Sequence, residues 1–465
     1  MKLVQSKNAN INYLSKVVDI KEFVAHPNPE VTRIKCAVID GFIITVGIDS
    51  EPGKYVYFPV LSQINPNLLQ YLNLYRNKDK NANPEKTGYF EDKGIVKAIN
   101  LKGVKSEGFL MPLIDLQNFI VSSTNIELEE PENNLEFDSV EDNGKSFWIS
   151  QKYVAPLQRT TGTPGNSKER KKKKGLDKII DTQFRFHYDT VILKKCPYVI
   201  SPDDLIHISS KWHGTSGISA YVICHKKLNW REKIASWFLK GPIDCYDYIY
   251  ASRTVIKNRY YNKDITGGYY DCDVWKYADD YLKPYLEKGM TLYYEIVGYL
   301  PNGGWIQKNY DYGCIPPTSV IDPTTGDTIV QYVQGKNFKV LVYRITLTNM
   351  DGKVHEFSAH EVQTWCKNRG ILPMIEYYYG KARDLYPDLF EDEHWNTNFM
   401  QALANDSNFY MEKNSPECNN KVPHEGIVIR KESMKSEAWK VKCFKFLGKE
   451  QEAALAGDTN IEDNA

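Results

Sequence analysis

The sequence has 465 residues, of which 59 are lysine or arginine and 59 are aspartate or glutamate, so its formal net charge is zero. A balanced charge excludes a generally basic protein that coats nucleic acid. The length is enough for two or three domains, and 42% hydrophobic with 13% aromatic residues excludes a mainly disordered chain.

The amino terminus and the cysteines indicate a protein that stays inside a cell. Residues 1–13 are polar and lack an apolar core of signal-peptide length, and no stretch is long enough to cross a bilayer. The nine cysteines occur without a Cys-x-x-Cys pair, and no histidine completes a zinc-ligand spacing. We therefore expect a soluble cytoplasmic monomer with reduced thiols and no membrane partner.

The first predicted unit is a small β-barrel over residues 1–115. Short apolar strands alternate there with turns rich in Gly, Pro, Asn and Asp, for example at Ile34–Val38, Phe42–Val46 and Tyr55–Val60. Strands of this length and spacing are typical of small barrels.

Residues 116–180 are predicted to form a linker that is first acidic and then basic. The acidic part, Glu127–Asp142, carries eight carboxylates and too little apolar surface to fold alone. The basic part has six cations within residues 168–174. Such a run is a mobile solvated tether, an additional contact for phosphates, or a localisation signal, and the sequence leaves these interpretations open.

The second predicted unit covers residues 181–449 and is the expected catalytic domain. Longer apolar strands alternate there with charged helices, for instance at Thr291–Val297, Phe338–Leu347 and Ile427–Arg430. Residues 450–465 are acidic and rich in small side chains, so we expect this tail to fray.

The segment Ile206–Gly217 carries the clearest local sign of chemistry. An apolar strand ends at Lys211, and Gly214 follows in a tight turn, so the lysine side chain can project into an open pocket. A lysine placed there acts as a nucleophile when neighbouring cations disfavour its ammonium form. An ordinary exposed lysine at a strand end is the alternative.

Two glutamates stand in otherwise apolar strands. Glu295 lies within Leu292–Gly298, and Glu425 with Gly426 opens the strand that runs to Arg430. A buried carboxylate is costly unless it meets a metal ion or a hydrogen-bond partner. Each glutamate is therefore a candidate site residue, with a structural salt bridge as the alternative.

A third apolar strand, Ala438–Phe446, contains two lysines on one face. Because strand side chains alternate, Lys440 and Lys442 project to the same side. Two ammonium groups so placed repel each other unless an anion lies between them, which favours a phosphate site. The alternative is an exposed edge strand that uses lysine to prevent aggregation.

Taken in chain order, these segments resemble the motifs of the covalent nucleotidyltransferase superfamily, which comprises ATP-dependent RNA and DNA ligases and GTP-dependent capping enzymes. The matching positions are Lys211-x-His213-Gly214, Glu295-x-x-Gly298, Glu425-Gly426-x-Val428 and Lys440-x-Lys442. DNA ligases and capping enzymes carry a barrel after the last motif, whereas here only 23 residues follow Lys442.

A barrel ahead of the nucleophile is instead similar to the RNA ligases typified by the Deinococcus and Naegleria enzymes. The segments that carry this similarity are His26–Glu30, Gly53–Phe58, Val96–Gly108 and Phe184–Thr190. The resemblance implies an α+β fold: an amino-terminal OB-fold β-barrel followed by a nucleotidyltransferase (ATP-grasp-like ligase) domain of antiparallel sheets with flanking helices. Residues 301–337 and 351–423 match no motif and are interpreted as additions.

The resemblance also implies roles for individual residues. Lys211 is the implied nucleophile, Lys440 and Lys442 contact the α-phosphate, and Arg253 contacts the nucleotide or the RNA end. The implied nucleotide contacts are completed by Ser210, His213, Gly214, Glu295, Tyr343 and Glu425. A Mg²⁺ or Mn²⁺ ion is expected at Glu295 and Glu425 through water, and Glu30 is nominated as a further metal ligand, with an ordinary turn carboxylate as its alternative.

The implied activity is that of an ATP-dependent RNA ligase. It joins an RNA 3′-hydroxyl to an RNA 5′-phosphate, for example in a nicked duplex, through a lysyl-AMP and an RNA-adenylate. Ser210 stands where related ligases often have a glutamate that binds adenine, so ATP and GTP both stay open. The alternatives are a GTP-dependent capping-type enzyme and a non-catalytic RNA-binding module. The second alternative is disfavoured because none of the motif residues is missing.

Overall fold

The structure of the protein is a computed structural model. It describes residues 1–155, 179–226, 232, 244–257, 272–321, 327–389, 394–433 and 437–457. The predicted basic run at residues 168–174 and residues 458–465 of the predicted tail lie outside the described residues.

Residues 1–155 form a unit that consists mainly of short strands. The helices are α1 (Pro66–Tyr71) and α2 (Leu113–Thr124). The strands are β1 (Lys2–Val4), β2 (Ser15–Ile20), β3 (Val24–Ala25), β4 (Ile34–Ile39), β5 (Phe42–Gly47), β6 (Gly53–Phe58), β7 (Ser62–Ile64), β8 (Ala98–Leu101), β9 (Val104–Glu107), β10 (Phe109–Pro112), β11 (Glu136–Phe137), β12 (Ser139–Asp142), β13 (Lys145–Trp148) and β14 (Ser150–Lys152).

These strands pair in several small antiparallel sheets. The largest has the order β10-β6-β2-β11, and the others are β1-β12-β13, β3-β4-β5, β8-β9 and β14-β7. The three strands predicted from the sequence are confirmed as β4, β5 and β6, because their buried side chains form the cores of this unit. Within residues 1–155 the strand pairing does not close into one barrel.

The expected acidic linker is wrong for its described part. The acidic segment supplies β11 and β12, which pair with β2 and β1, and Phe137 and Val140 are fully buried in the core of the first unit. Charge along the segment does not prevent folding, because backbone pairing and two apolar side chains tie it to strands that come from the amino terminus.

The remaining described residues form a second unit. Its helices are α3 (Val274–Leu282), α4 (Ala359–Lys367), α5 (Ala382–Leu385), α6 (Trp395–Asn405) and α7 (Phe444–Ala456). Its strands are β15 (Val191–Ile192), β16 (Leu205–Lys211), β17 (Thr215–His225), β18 (Asp244–Ser252), β19 (Met290–Gly298), β20 (Thr318–Ile321), β21 (Thr328–Gln331), β22 (Phe338–Thr348), β23 (Val354–Glu356), β24 (Leu372–Pro373), β25 (Glu376–Lys381), β26 (Gly426–Lys431) and β27 (Glu437–Lys442).

Two large sheets organise the second unit. One has the order β15-β27-β26-β16-β25, and the other has the order β18-β17-β19-β22-β23, with β24 beside β22. Most pairs are antiparallel, whereas β15–β27 and β22–β24 are parallel. Apolar side chains from both sheets, such as Ile208, Ile427 and Leu341, pack into one core. The fold is therefore α+β with mixed, mainly antiparallel sheets.

The expected frayed tail is wrong for residues 450–456, which belong to α7. This helix ends at Gly457, whose left-handed backbone caps it. Lys93 of the first unit donates to the carbonyls of Ala454 and Leu455, and Gln451 bonds the backbone of Ala98. These hydrogen bonds hold α7 against the first unit.

All nine cysteines are free thiols in the structure. None of the helices in the described ranges has the length and apolarity needed to span a membrane.

Candidate active site

A cavity of about 990 Å³ lies between the two sheets and is bordered by the first unit. Eight of the residues predicted from the sequence line it: Ser210, Lys211, His213, Arg253, Glu295, Tyr343, Lys440 and Lys442. The first unit contributes Tyr13, Lys152 and Tyr153 to its wall. Distant stretches of both units therefore converge on one cavity whose wall carries several cations.

Lys211 ends β16 and forms an ion pair with Glu425. The two strands are in register so that Lys211 lies opposite Gly426 of β26, and the Lys211 Nζ is 2.7 Å from the Glu425 Oε1. The Glu425 side chain is only 2% exposed, whereas Lys211 keeps 19%. Glu425 Oε2 is also buried and accepts no hydrogen bond from the described part of the chain. Glu425 therefore pairs with Lys211 from a buried position and is not part of the cavity wall.

Glycines allow the strands to approach each other at this point. A Cβ on Gly214 would lie 2.3 Å from the Ile296 carbonyl oxygen and 2.9 Å from the Glu295 Oε1. Gly426 has φ +142°, and a Cβ there would lie 2.1 Å from the Val441 carbonyl oxygen. Both positions require glycine because the obstacle is backbone, which cannot move aside.

Glu295 is buried in β19, a strand whose nine residues are all buried. Ser216 of the neighbouring strand β17 donates from its hydroxyl to the Glu295 Oε2 at 3.2 Å. The continuous apolar pattern around this carboxylate arises because β19 is the central strand of its sheet, covered on both faces.

Lys440 and Lys442 both point from β27 into the cavity, and each meets its own carboxylate. The Lys440 Nζ is 3.9 Å from the Asp189 Oδ1, and the Lys442 Nζ is 2.7 Å from both oxygens of Glu450. Burial lowers the pKa of Lys442 but Glu450 raises it, and the net shift is upward. The anions that a lysine pair requires are thus supplied by the protein itself.

Asp189 is a site residue that the sequence did not single out. Its carboxylate pairs with Arg253 as well as with Lys440, and it accepts a hydrogen bond of 2.7 Å from the Asn10 amide of the first unit. Asp189 lies just before β15, within the Phe184–Thr190 segment. Only the similarity of this segment to RNA ligases pointed to Asp189 in the sequence. These three partners, Arg253, Lys440 and Asn10, are 64 to 251 residues away along the chain.

Ser210 and His424, which directly precede Lys211 and Glu425 in the sequence, contact each other. The Ser210 Oγ lies 3.0 Å from the His424 Nε2, and the Tyr377 hydroxyl lies 3.4 Å from the same nitrogen. Burial lowers the pKa of His424 to about 4, so this imidazole is neutral near pH 7. The cluster fixes the relative position of the two strands that carry the ion pair.

The unassigned segment 301–337 holds the loop after Lys211. Gln307 donates to the Gly214 carbonyl oxygen at 2.8 Å, and the His213 backbone N–H donates to the Tyr312 hydroxyl at 2.6 Å. Tyr312 also stacks on Trp212 with ring centroids 4.3 Å apart. This addition therefore forms a structural wall of the site.

The two remaining predicted residues, Tyr343 and Glu30, lie in different surroundings from each other. Tyr343 lines the cavity and meets the edge of His187 with ring centroids 5.3 Å apart, and burial raises its pKa. Glu30 lies in an exposed turn whose backbone N–H donates to Asn28 Oδ1 at 3.0 Å, and it is not part of the cavity wall. Among the described residues no three His, Cys, Asp or Glu side chains form a group suited to a metal ion.

Comparison with known proteins gives a similarity of fold. No family model matches the sequence, and no curated protein is significantly similar to it. The solved structure of Naegleria gruberi RNA ligase with PPi has a TM-score of 0.52 and 12% identity, covering 95% of this chain and 100% of that chain.

Two variants of the same ligase agree with this result. An arginine-to-alanine variant with ATP and Mn has a TM-score of 0.51 and 13% identity, covering 95% of this chain and 99% of that chain. A glutamate-to-alanine variant with ATP and Mn has a TM-score of 0.51 and 12% identity, covering 94% and 99%. The similarity extends over both units, and the chain therefore has an RNA ligase-like fold.

Proposed function

We propose that this protein is an ATP-dependent RNA ligase that uses Lys211 as its nucleophile. One observation carries the proposal: a lysine paired with a buried carboxylate at 2.7 Å stands in a cavity whose wall carries Arg253, Lys440 and Lys442. A nucleophile surrounded by cations suits attack on a phosphate. The RNA ligase-like fold supports the same reading.

In the proposed first step the Lys211 nitrogen attacks the α-phosphorus of ATP. A phosphorus–nitrogen bond forms, and the bond to pyrophosphate breaks. Glu425 lies where it can accept the proton that the lysine must lose. Arg253, Lys440 and Lys442 neutralise the charge that develops on the phosphate oxygens, so that most of the catalysis is positioning and electrostatic stabilisation.

The residues present fit a divalent cation such as Mg²⁺ or Mn²⁺ held mainly by water and phosphate. Glu295 supplies a buried carboxylate in the cavity wall, and the buried Glu425, whose Oε2 accepts no hydrogen bond within the described residues, would reach the ion only through water. Mg²⁺ keeps several waters and needs few protein carboxylates, so one or two glutamates would be sufficient to hold it. A bound ion would withdraw electron density from the phosphate oxygens.

In the proposed later steps an RNA 5′-phosphate oxygen takes the AMP from Lys211, and an RNA 3′-hydroxyl then displaces AMP to join the strands. We assign the first unit a role beside the pyrophosphate leaving group. The support is the placement of Tyr13 and Lys152 in the cavity wall together with the similarity that spans both units. A nicked duplex is the RNA substrate that we propose first.

Labelling of the protein tests this function. Wild type incubated with Mg²⁺ and α-labelled ATP should keep the label through denaturation, and folded Lys211→Ala should not. Lys381→Ala is the control, because Lys381 of β25 is 48% exposed and does not belong to the cavity wall that contains Lys211. An unlabelled wild type contradicts the proposal and favours a non-catalytic RNA-binding module, whereas labelling that only GTP supports would identify a capping-type enzyme.

A further inference from the structure

Glu450 of α7 places a carboxylate on one of the lysines that the proposed function assigns to phosphate. Both Glu450 oxygens lie 2.7 Å from the Lys442 Nζ. The pair is largely buried, with 14% of the lysine side chain and 11% of the glutamate side chain exposed. Two of the three protons of the ammonium group are therefore directed at one carboxylate.

This ion pair has a clear reason in the protein alone. An ammonium group that is mostly buried is costly unless an anion neutralises it. Glu450 provides that anion from a helix that follows β27 directly and is anchored on the first unit through Lys93 and Gln451. The carboxylate is thus held at Lys442 by the fold and not by chance rotation of a surface side chain.

A phosphate cannot share Lys442 with Glu450 at equal distance without a penalty. Two anions within hydrogen-bond distance of the same nitrogen lie close enough to repel each other strongly in a partly buried site. One of the two must give way. Because α7 provides only a side-chain contact here, the Glu450 carboxylate is the group that can rotate away.

We propose that Glu450 competes with the phosphate of the nucleotide for Lys442 and leaves this lysine when nucleotide binds. The inference rests on the proposed function, and it adds a residue that sets nucleotide affinity from outside the recognised motifs. Glu450 then lowers affinity for nucleotide while keeping Lys442 neutralised when no phosphate is bound, and α7 links that exchange to the first unit.

The test compares Glu450→Gln with Glu452→Gln, which removes the same charge from the same helix two residues further on. The probe is the α,β-methylene analogue of ATP with Mg²⁺, which cannot release pyrophosphate, so that binding is measured without reaction. We expect Glu450→Gln to bind the analogue about tenfold more tightly than wild type in calorimetry. Glu452→Gln should change affinity much less. Equal or weaker binding by Glu450→Gln overturns the inference.

Thermal unfolding gives a second readout that a purely structural role would not produce. Glu450→Gln should melt below wild type without the analogue, because Lys442 loses its anion, and the difference should shrink at saturating analogue. A difference that stays the same with and without analogue overturns the inference. If Glu450→Gln does not fold, Glu450→Asp is measured in the same way, since the shorter side chain cannot keep both contacts.

The outcomes separate this inference from the proposed function. Wild type that binds no analogue and takes no label from ATP contradicts the proposed function itself. Wild type that binds the analogue while Glu450→Gln binds it no better contradicts only the role of Glu450.

Discussion

The ion pair between Lys211 and Glu425 leads to a prediction about stability that is independent of activity. Lys211→Met removes the ammonium group that neutralises a carboxylate with 2% exposure. Breaking a buried pair in this way costs about 3 to 5 kcal/mol of unfolding free energy. We expect about 3 kcal/mol, at the lower end, because the lysine side is 19% exposed and water can reach part of the vacated space.

The double variant Lys211→Met/Glu425→Gln should recover most of this loss. Removing both charges leaves no buried ion, and such replacements are often neutral. Lys381→Met is the matched control, because its pair with Asp203 is 48% and 69% exposed. Loss of an exposed pair of this kind should cost less than about 1 kcal/mol.

Urea unfolding followed by tryptophan fluorescence measures these differences. Trp212, which adjoins Lys211 and is 5% exposed, places a fluorophore at the site. A Lys211→Met variant as stable as wild type would refute the reasoning, as would a double variant no more stable than the single one. Either result would mean that Glu425 does not depend on Lys211 for its charge balance.

Three further predictions concern the same region. Gly214→Ala should destabilise the protein by about 2 to 3 kcal/mol in urea unfolding, since the added Cβ would lie 2.3 Å from a carbonyl oxygen. Gly47→Ala is the control and should change the unfolding free energy little, because no atom lies within 4 Å of its added Cβ. Equal effects of the two substitutions would contradict the close approach at Gly214. Burial lowers the pKa of His424 and of His207 from 6.5 to about 4. The stability that these neutral imidazoles contribute is therefore fully present above pH 6.5 and is lost as the pH falls towards 4. His424→Gln should flatten the curve of unfolding free energy against pH, and an unchanged slope would count against a buried neutral imidazole. Asp189→Asn should lower the melting temperature and increase the stabilisation by inorganic phosphate, because it removes the carboxylate shared by two cations; a phosphate response equal to that of wild type would argue against the assignment.

Local patterns were sufficient for much of the second unit. The strands expected around Glu295, Tyr343 and Glu425 are present as β19, β22 and β26. A buried strand imposes a continuous apolar run, so a charged residue inside the run stands out in the sequence. Alternation along β27 likewise predicts that Lys440 and Lys442 lie on one face of the strand.

Local patterns failed where folding depends on distant partners. The acidic segment has a composition typical of a linker, yet Phe137 and Val140 anchor it to strands from the amino terminus. The same limit applies to α7, whose last turn is capped by Lys93. Neither contact has a signature within its own stretch of sequence, because each partner lies more than a hundred residues away.

The candidate side chains and the strands that carry them could be predicted from the sequence, because these features depend on the spacing of residues along one strand. The partners that neutralise the charges of these side chains follow from the three-dimensional fold. Glu425, Asp189 and Glu450 reach Lys211, Lys440 and Lys442 from other segments of the second unit, and the energy of a buried charge depends on its neighbours in space. Around the cavity, therefore, each of the three lysines lies beside a carboxylate, although the zero net charge of the chain gives no sign of this arrangement.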